Sequence, residues 1–174
     1  RQMLKAVGVN RDRFFARQGM SPLDSSQRTT ALKLLELQRY ALLMSTSCGW
    51  FFDDLSGIET VQVIQYAGRV IQLAEELFGV PLEPRFLEIL QKAKSNLPEQ
   101  GDGQSVYQRY VKPAMVDMVK VGAHYAVSAL FEPYGERERI YCYTAERENV
   151  RTEETGRARL IAGRIRLTSE ITRE

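Results

Sequence analysis

From Ile58 to Phe78 the sequence keeps one pattern over a long span. Ile58, Val61, Ile64, Gly68, Ile71, Ala74 and Phe78 recur at steps of three and four. That is the period of an α-helix with one apolar face. Gly79 follows, at the place where a helix-ending left-handed turn favours glycine. The spacing therefore predicts a helix over Ile58–Phe78. Such a helix must bury its stripe against other elements, so the rest of the chain is read as what covers it. Gln62, Gln65, Arg69 and Gln72 form a second stripe on the same helix, polar but hardly charged. Most polar helix faces are plain surface and rich in Glu and Lys; an amide-rich face suits another polar surface or a ligand. Ser56 and Glu59 stand at S-x-x-E spacing before the helix, which predicts Ser56 as its N-cap and Glu59 capping back.

Other helical segments supply the cover. Gln2 to Gln18 reads as one or two short helices, broken near Gly8 and Asn10 and ended by Gly19, with Ser21-Pro22 restarting the chain. A second helix spans about Ser25 to Thr46, with Asp24 as N-cap and Gln27 three residues on. Ala41 to Met44 is apolar all round, which predicts a helix end buried on every side. A fourth helix is expected from Pro84 to Asn96, with Phe86, Leu87, Leu90 and Ala93 as its core face. A Gly/Asp-rich loop over Pro98–Gly103 leads to a fifth, from Gln104 to Phe131, kinked or split at Pro113. On it Gly122, Ala126 and Ala129 would let a neighbouring helix approach closely. Beyond Arg139 the period changes to two. Ile140, Cys142 and Thr144 alternate with Tyr141 and Tyr143, and Ile161, Gly163, Ile165 and Leu167 with Leu160, Ala162, Arg164 and Arg166. A hairpin with a long polar loop over 146–157 is expected. The chain thus reads as mainly α. Residues 1–135 form a multi-helix bundle of about five helices, and 136–174 a C-terminal β-hairpin. A lone hairpin is marginal in water, so it is expected to begin a larger sheet.

Charge narrows the function classes. Lys and Arg total 24 against 22 Asp and Glu, a net +2. The dense charge of Glu136–Glu174 mixes both signs, which describes a solvated surface rather than a nucleic-acid site. Arg157, Arg159, Arg164 and Arg166 are read the same way, as the wet face of a sheet. No apolar run reaches membrane-spanning length. Cys48 and Cys142 lie far apart, which fits reduced thiols in a cytoplasmic protein and gives no metal spacing. No cofactor is expected. The chain begins at Arg1 rather than Met, which reads as a piece of a longer protein.

The residues with most chemistry to offer lie in the connector before the long helix. Ser47-Cys48-Gly49-Trp50-Phe51-Phe52-Asp53-Asp54 sets three rings beside two carboxylates. Sugar rings stack on flat aromatics, and carboxylates accept hydrogen bonds from hydroxyls. The bland reading competes. Phe51 and Phe52 are expected in the core, as adjacent aromatics usually are. Trp50 suits core and site equally, and Asp53 or Asp54 suits the positive helix N-terminus. Trp50, Asp53 and Asp54 are the candidate substrate-binding residues; no catalytic residue is assigned. His124, the one histidine, has no triad pattern around it and reads as structural. Cys48, flanked by rings, is expected buried and inert. Gly101-Asp102-Gly103 is a turn, lacking the lysine of a phosphate loop.

A resemblance becomes specific at Gln38-Arg39-Tyr40-Ala41-Leu42-Leu43-Met44, followed by Ser47–Asp54 and Ser56-Gly57-Ile58-Glu59-Thr60. The chain resembles the helical domain found C-terminal to the catalytic barrel in bacterial glycoside hydrolase family 57-like, α-amylase-related proteins. The similarity runs on to Ala123-His124-Tyr125-Ala126 and Phe131. It implies a non-catalytic domain that flanks or completes an α-glucan-processing site, whose two carboxylates lie in an N-terminal β/α barrel. The barrel would be the partner and α-glucan the ligand. The barrel's motifs are absent from this chain, so no glycosidase activity is expected of it alone. The alternative is a structural or oligomerisation module without substrate contact, suggested by the open hairpin and the small-residue face.

Overall fold

The structure is a computed structural model that describes residues 2–19 and 22–174, with side chains from Asn10 onward; Ser21 lies outside the described residues. Helix α1 (Gln2–Arg17) leads to α2 (Ser25–Leu43), the short α3 (Cys48–Phe51), α4 (Ile58–Phe78) and α5 (Glu83–Leu90). After a 3-10 turn come α6 (Gly103–Val106), a π-helical turn over Tyr107–Val111, and α7 (Met118–Ser128). Strands β1 (Arg137–Ile140), β2 (Tyr143–Thr155) and β3 (Ala158–Ser169) form an antiparallel sheet in the order β1-β2-β3. The fold combines helices with a three-stranded antiparallel sheet at its C-terminal end.

Two local signals read from the sequence carry through. Asp24 accepts from the Gln27 N–H while the Gln27 side chain accepts from the Asp24 N–H, the reciprocal cap of α2. α4 spans the expected residues and ends at Gly79, whose φ of +67° is the left-handed stop. Elsewhere the structure corrects the pattern. α1 runs unbroken through Gly8 and Asn10. α2 ends at Leu43, and Leu42 is 70% exposed, so its all-apolar end is not buried on every side. α5 stops at Leu90, and Ala93 is exposed. The expected fifth helix is divided around Pro113, which has no N–H to continue a helix. Gly122 faces Leu167 of β3, not a helix, and Ala126 is exposed.

Three buried clusters hold the fold. Phe15, Ala31 and Leu32 join α1 to α2, with Leu23 over them. Ile64, Val106, Tyr107 and Val111 form the cluster under α4, with Phe86, Leu87 and Leu90 of α5 against it. The Tyr107 hydroxyl, fully buried, donates to Glu83 Oε1 at 2.7 Å. Tyr125, Ala129, Ile140 and Ala145 fix α7 on the sheet. Tyr40 of α2 lies against Tyr66 of α4 and Lys33 against Glu76, so the two helices run antiparallel.

The hairpin is longer than expected, and a third strand joins it. β2 and β3 pair from Tyr143↔Ser169 to Thr155↔Ala158, so the polar stretch 146–157 is largely strand, with a tight turn at Gly156-Arg157. Its residues are charged on both faces because the far half of this ribbon is exposed on both faces, which removes the period-two hydrophobic signal. A bulge between Arg147 and Asn149 brings backbone against Gly163, where a Cβ would lie 2.2 Å from the Asn149 carbonyl oxygen.

Two polar junctions place the elements relative to one another. The first is the turn after β3. Glu170 donates its N–H to the Cys142 carbonyl at 2.7 Å, accepts from Thr144 at 2.6 Å, and receives the Arg11 guanidinium on its carbonyl at 3.1 Å. Lys33 on α2, 7% exposed, pairs with Glu76 of α4 and with Glu174 at 3.0 Å. The second junction is Asp54. Its carboxylate accepts from the Ser56 N–H at 2.7 Å, the Ser56 hydroxyl, the Ser95 hydroxyl at 2.9 Å and the Asn96 N–H at 2.7 Å. Ser56 is therefore turned back to Asp54 and does not cap α4. The cap position is Gly57, with no side-chain bond, and Thr60 donates to the Asp54 carbonyl instead.

The bonds from Ser56 hold the Asp54 carboxyl down at about 2, with those from Asn96 and Ser95 adding to them, against an ordinary value of 3.8. A depressed carboxylate pKa contributes stability above its unfolded value and loses it as pH falls through the folded one. Asp54→Asn is therefore expected to lower the melting temperature at pH 6. The gap to wild type should close between pH 4 and pH 2, followed by circular dichroism. A gap independent of pH would contradict the charge-assisted junction. A second prediction concerns Gly103, buried beneath α5, where a Cβ would lie 2.5 Å from the Leu90 carbonyl oxygen. Gly103→Ala is expected to cost about 1–3 kcal/mol by overpacking, read as a lower urea midpoint at unchanged m.

Candidate functional site

The aromatic connector folds into a single helical turn. Trp50 and Phe51 donate their N–H groups to the Ser47 carbonyl at 3.1 and 2.9 Å, closing α3. α3 sits tightly on α4, because at Gly49 a Cβ would lie 3.1 Å from Val63 Cγ1. From this seat the rings point outward. Trp50 is 75% and Phe51 72% exposed, and Phe52 packs edge-on against Phe51 with centroids 5.3 Å apart. Phe51 and Phe52 are thus not in the core, against expectation. The reason is local: α3 is one turn long and its contact with α4 is made through Gly49, leaving its larger side chains no face to bury. Ile58 at the start of α4 is 80% exposed beside them in sequence. Together with Leu42, these residues place an apolar surface at one end of the antiparallel α2–α4 pair, a feature that monomeric soluble surfaces seldom carry without use.

The two aspartates separate. Asp54 is filled by its four donors and serves as the clamp behind α3. Asp53 is exposed, and its carbonyl accepts from the Asn96 side chain. Cys48 is exposed, against the expectation of a buried thiol, and borders a shallow apolar hollow with Leu43, Thr46, Ile58 and Val63. His124 lies on α7, where its neighbours are Ser128 and the Tyr141 ring, and it is brought to no nucleophile pattern with Cys48 on α3. Asp102 caps α6 through the Ser105 N–H at 3.0 Å, as the turn reading requires. The four arginines of the ribbon are all exposed, two of them paired with Glu154 and Glu148.

The structure adds a cleft that the sequence showed only in part. The amide stripe Gln62, Gln65, Arg69 and Gln72 forms its floor. Tyr40 and Glu36 of α2 make one wall. Met115 and Val116 after the π turn, with Tyr143, Ser169 and Thr172 of the sheet end, make the other. The space is about 270 Å³ and open along one side. Tyr40 and Tyr66 lie with centroids 5.8 Å apart, and the Arg39 guanidinium covers Tyr40 at 4.2 Å. The floor is internally ordered: Gln62 donates to Gln65 at 3.2 Å, Arg69 to Gln72 at 2.6 Å, and Gln72 to the Val116 carbonyl at 3.1 Å. Burial pushes the Tyr143 phenol up, so it stays protonated and able to donate. The hollow beside Cys48 borders this cleft, with Gln62 and Tyr66 lining both. The missing signal was the opposite wall, because nothing in the order of residues says that 169–172 returns to face α4.

No helix among the described residues is long and apolar enough to cross a membrane. No curated protein and no solved structure matches the chain. The sequence profile of a domain of unknown function, DUF3536, matches residues 2–174, and the chain belongs to that family.

Proposed function

We propose that this chain is a non-catalytic helical domain of a cytoplasmic, glycoside hydrolase family 57-like protein. It flanks an α-glucan-processing site whose catalytic carboxylates lie in an N-terminal barrel. The observation that carries the reading is Trp50: a large flat ring, mostly in solvent, on a turn seated on the long helix through Gly49 and tied by Asp54 to Ser95 and Asn96. An exposed indole, with an exposed carboxylate three residues on in the chain, suits a sugar ring, which offers C–H faces for stacking and hydroxyls for the carboxylate. Asp53 supplies that carboxylate, while Asp54 positions the turn. Functional groups on a short segment held by a rigid element are the usual arrangement for binding. The resemblance of the connector and α4 to the domain that follows the barrel in those proteins supports the same assignment.

A second reading has its own observation. Leu42 and Ile58 are aliphatic, exposed, and at the same end of α2–α4, which equally suits contact with the parent barrel or with another copy. In that case Trp50 is an interface anchor and no sugar is bound.

Trp50 is the sole tryptophan, so its emission reports the turn alone. Titration with maltoheptaose is expected to change that emission saturably, and Trp50→Ala to weaken calorimetric binding on the order of tenfold. Unchanged emission at millimolar maltoheptaose, with concentration-dependent sedimentation, would replace the sugar platform by the interface reading.

A further inference from the structure

The cleft over the amide stripe of α4 is unexplained by the aromatic turn. Its chemistry is unusual for bare helix surface. The floor carries three glutamines and one arginine in a row, at steps of three and four residues. From Gln62 to Gln72 the row extends about 15 Å at 1.5 Å per residue, enough for a short chain rather than a single ring. Its charged lining groups are one of each sign, Arg69 and Glu36, and Glu36 is held by Arg39 at 2.7 Å. A polyanion would meet one free cation and a carboxylate; a cationic ligand would meet the Arg69 guanidinium. The groups that remain are amides, hydroxyls and tyrosine rings. Amides both donate and accept, which matches a hydroxyl that does the same. The cleft is open along one side, so a ligand can lie in it without being enclosed. An extended peptide is read by a sheet edge or by apolar pockets at alternating spacing, and this floor is a polar helix face.

We propose that this cleft is a binding subsite for a short, neutral, linear oligosaccharide. Gln65 and Arg69 hydrogen-bond ring hydroxyls, and Tyr40 and Tyr66 present apolar ring surface beside them. Gln62 and Tyr66 also line the hollow beside Cys48, which is the side from which a longer chain would extend. The choice of an α-linked glucan as probe rests on the function proposed above. The cleft's own chemistry requires only a neutral, hydroxyl-rich chain.

The test is calorimetric titration of the chain with maltotriose, comparing wild type, Gln65→Leu, Gln62→Leu and Trp50→Ala. Both glutamines lie on the cleft surface outside the buried clusters, so the two leucine variants are a mutual check against misfolding. The inference expects each leucine variant to bind maltotriose on the order of tenfold more weakly. It also expects maltotriose binding to persist in Trp50→Ala, which removes the platform and leaves the cleft's own groups in place. Maltotriose binding unchanged in both leucine variants would overturn the cleft, leaving Trp50 to be judged by its own emission. Loss confined to Trp50→Ala would do the same and strengthen the platform. Heat with an uncharged extended peptide, and none with maltotriose, would overturn it in favour of a peptide groove.

Discussion

A buried ammonium decides how the two halves of this molecule meet. Lys33 sits on the inner face of α2, almost out of solvent, where an uncompensated charge would be costly. Its compensation comes from Glu76 on α4 and Glu174 beyond β3, while its hydrogen bonds to both offset the burial that would otherwise disfavour its charge. Burying that charge therefore requires α2, α4 and the chain after the sheet to converge. Glu170, bonded to Arg11 and Thr144, fastens the same turn to α1 and to β2. The wall of the cleft formed by Ser169 and Thr172 exists because this turn is drawn back onto the helices. A buried ion pair is weak grounds for stability in itself; here its consequence is position.

Asp54 does the corresponding work at the other end of α4. One carboxylate collects donors from its own turn and from Ser95 and Asn96, 41 and 42 residues away in the chain. That ties the α3 connector to the segment after α5 and fixes the direction in which the aromatic turn leaves the body. Between the two junctions α4 is a straight support, packed below through Ile64, Gly68 and Ile71 and open above through its amides. The proposed subsite lies on this helix, and the proposed platform on α3 is seated against it through Gly49.

What could be read from the order of residues was what is decided locally. The Asp24–Gln27 cap and the Gly79 stop involve a few neighbouring residues and one backbone preference each, and both are present. The Ser56–Glu59 cap was equally local but lost to a nearer competitor. Asp54, two residues upstream, offers Ser56 a carboxylate, and distant Ser95 and Asn96 stabilise that arrangement. Apolar pattern identified which residues would be core on α4 but not at its ends, where Ile58 and Phe78 extend past the elements that cover the stripe. The same limit placed Phe51, Phe52 and Leu42 inside. The stretch 146–157 reads as loop because strands exposed on both faces carry no alternation to detect. The amide row was visible as unusual; its partner wall depends on contacts across most of the chain.

In this account α4 carries ligand-facing groups from Gln62 to Arg69, and the α3 turn seated on it carries the exposed indole. Amide hydrogen exchange, with and without saturating maltoheptaose, reads that face directly and residue by residue. The account predicts slowed exchange in two segments, 46–58 around the aromatic turn and 62–72 on α4, with the ribbon 147–163 unchanged. Exchange unaltered in both segments, or slowed in the ribbon alone, would contradict it.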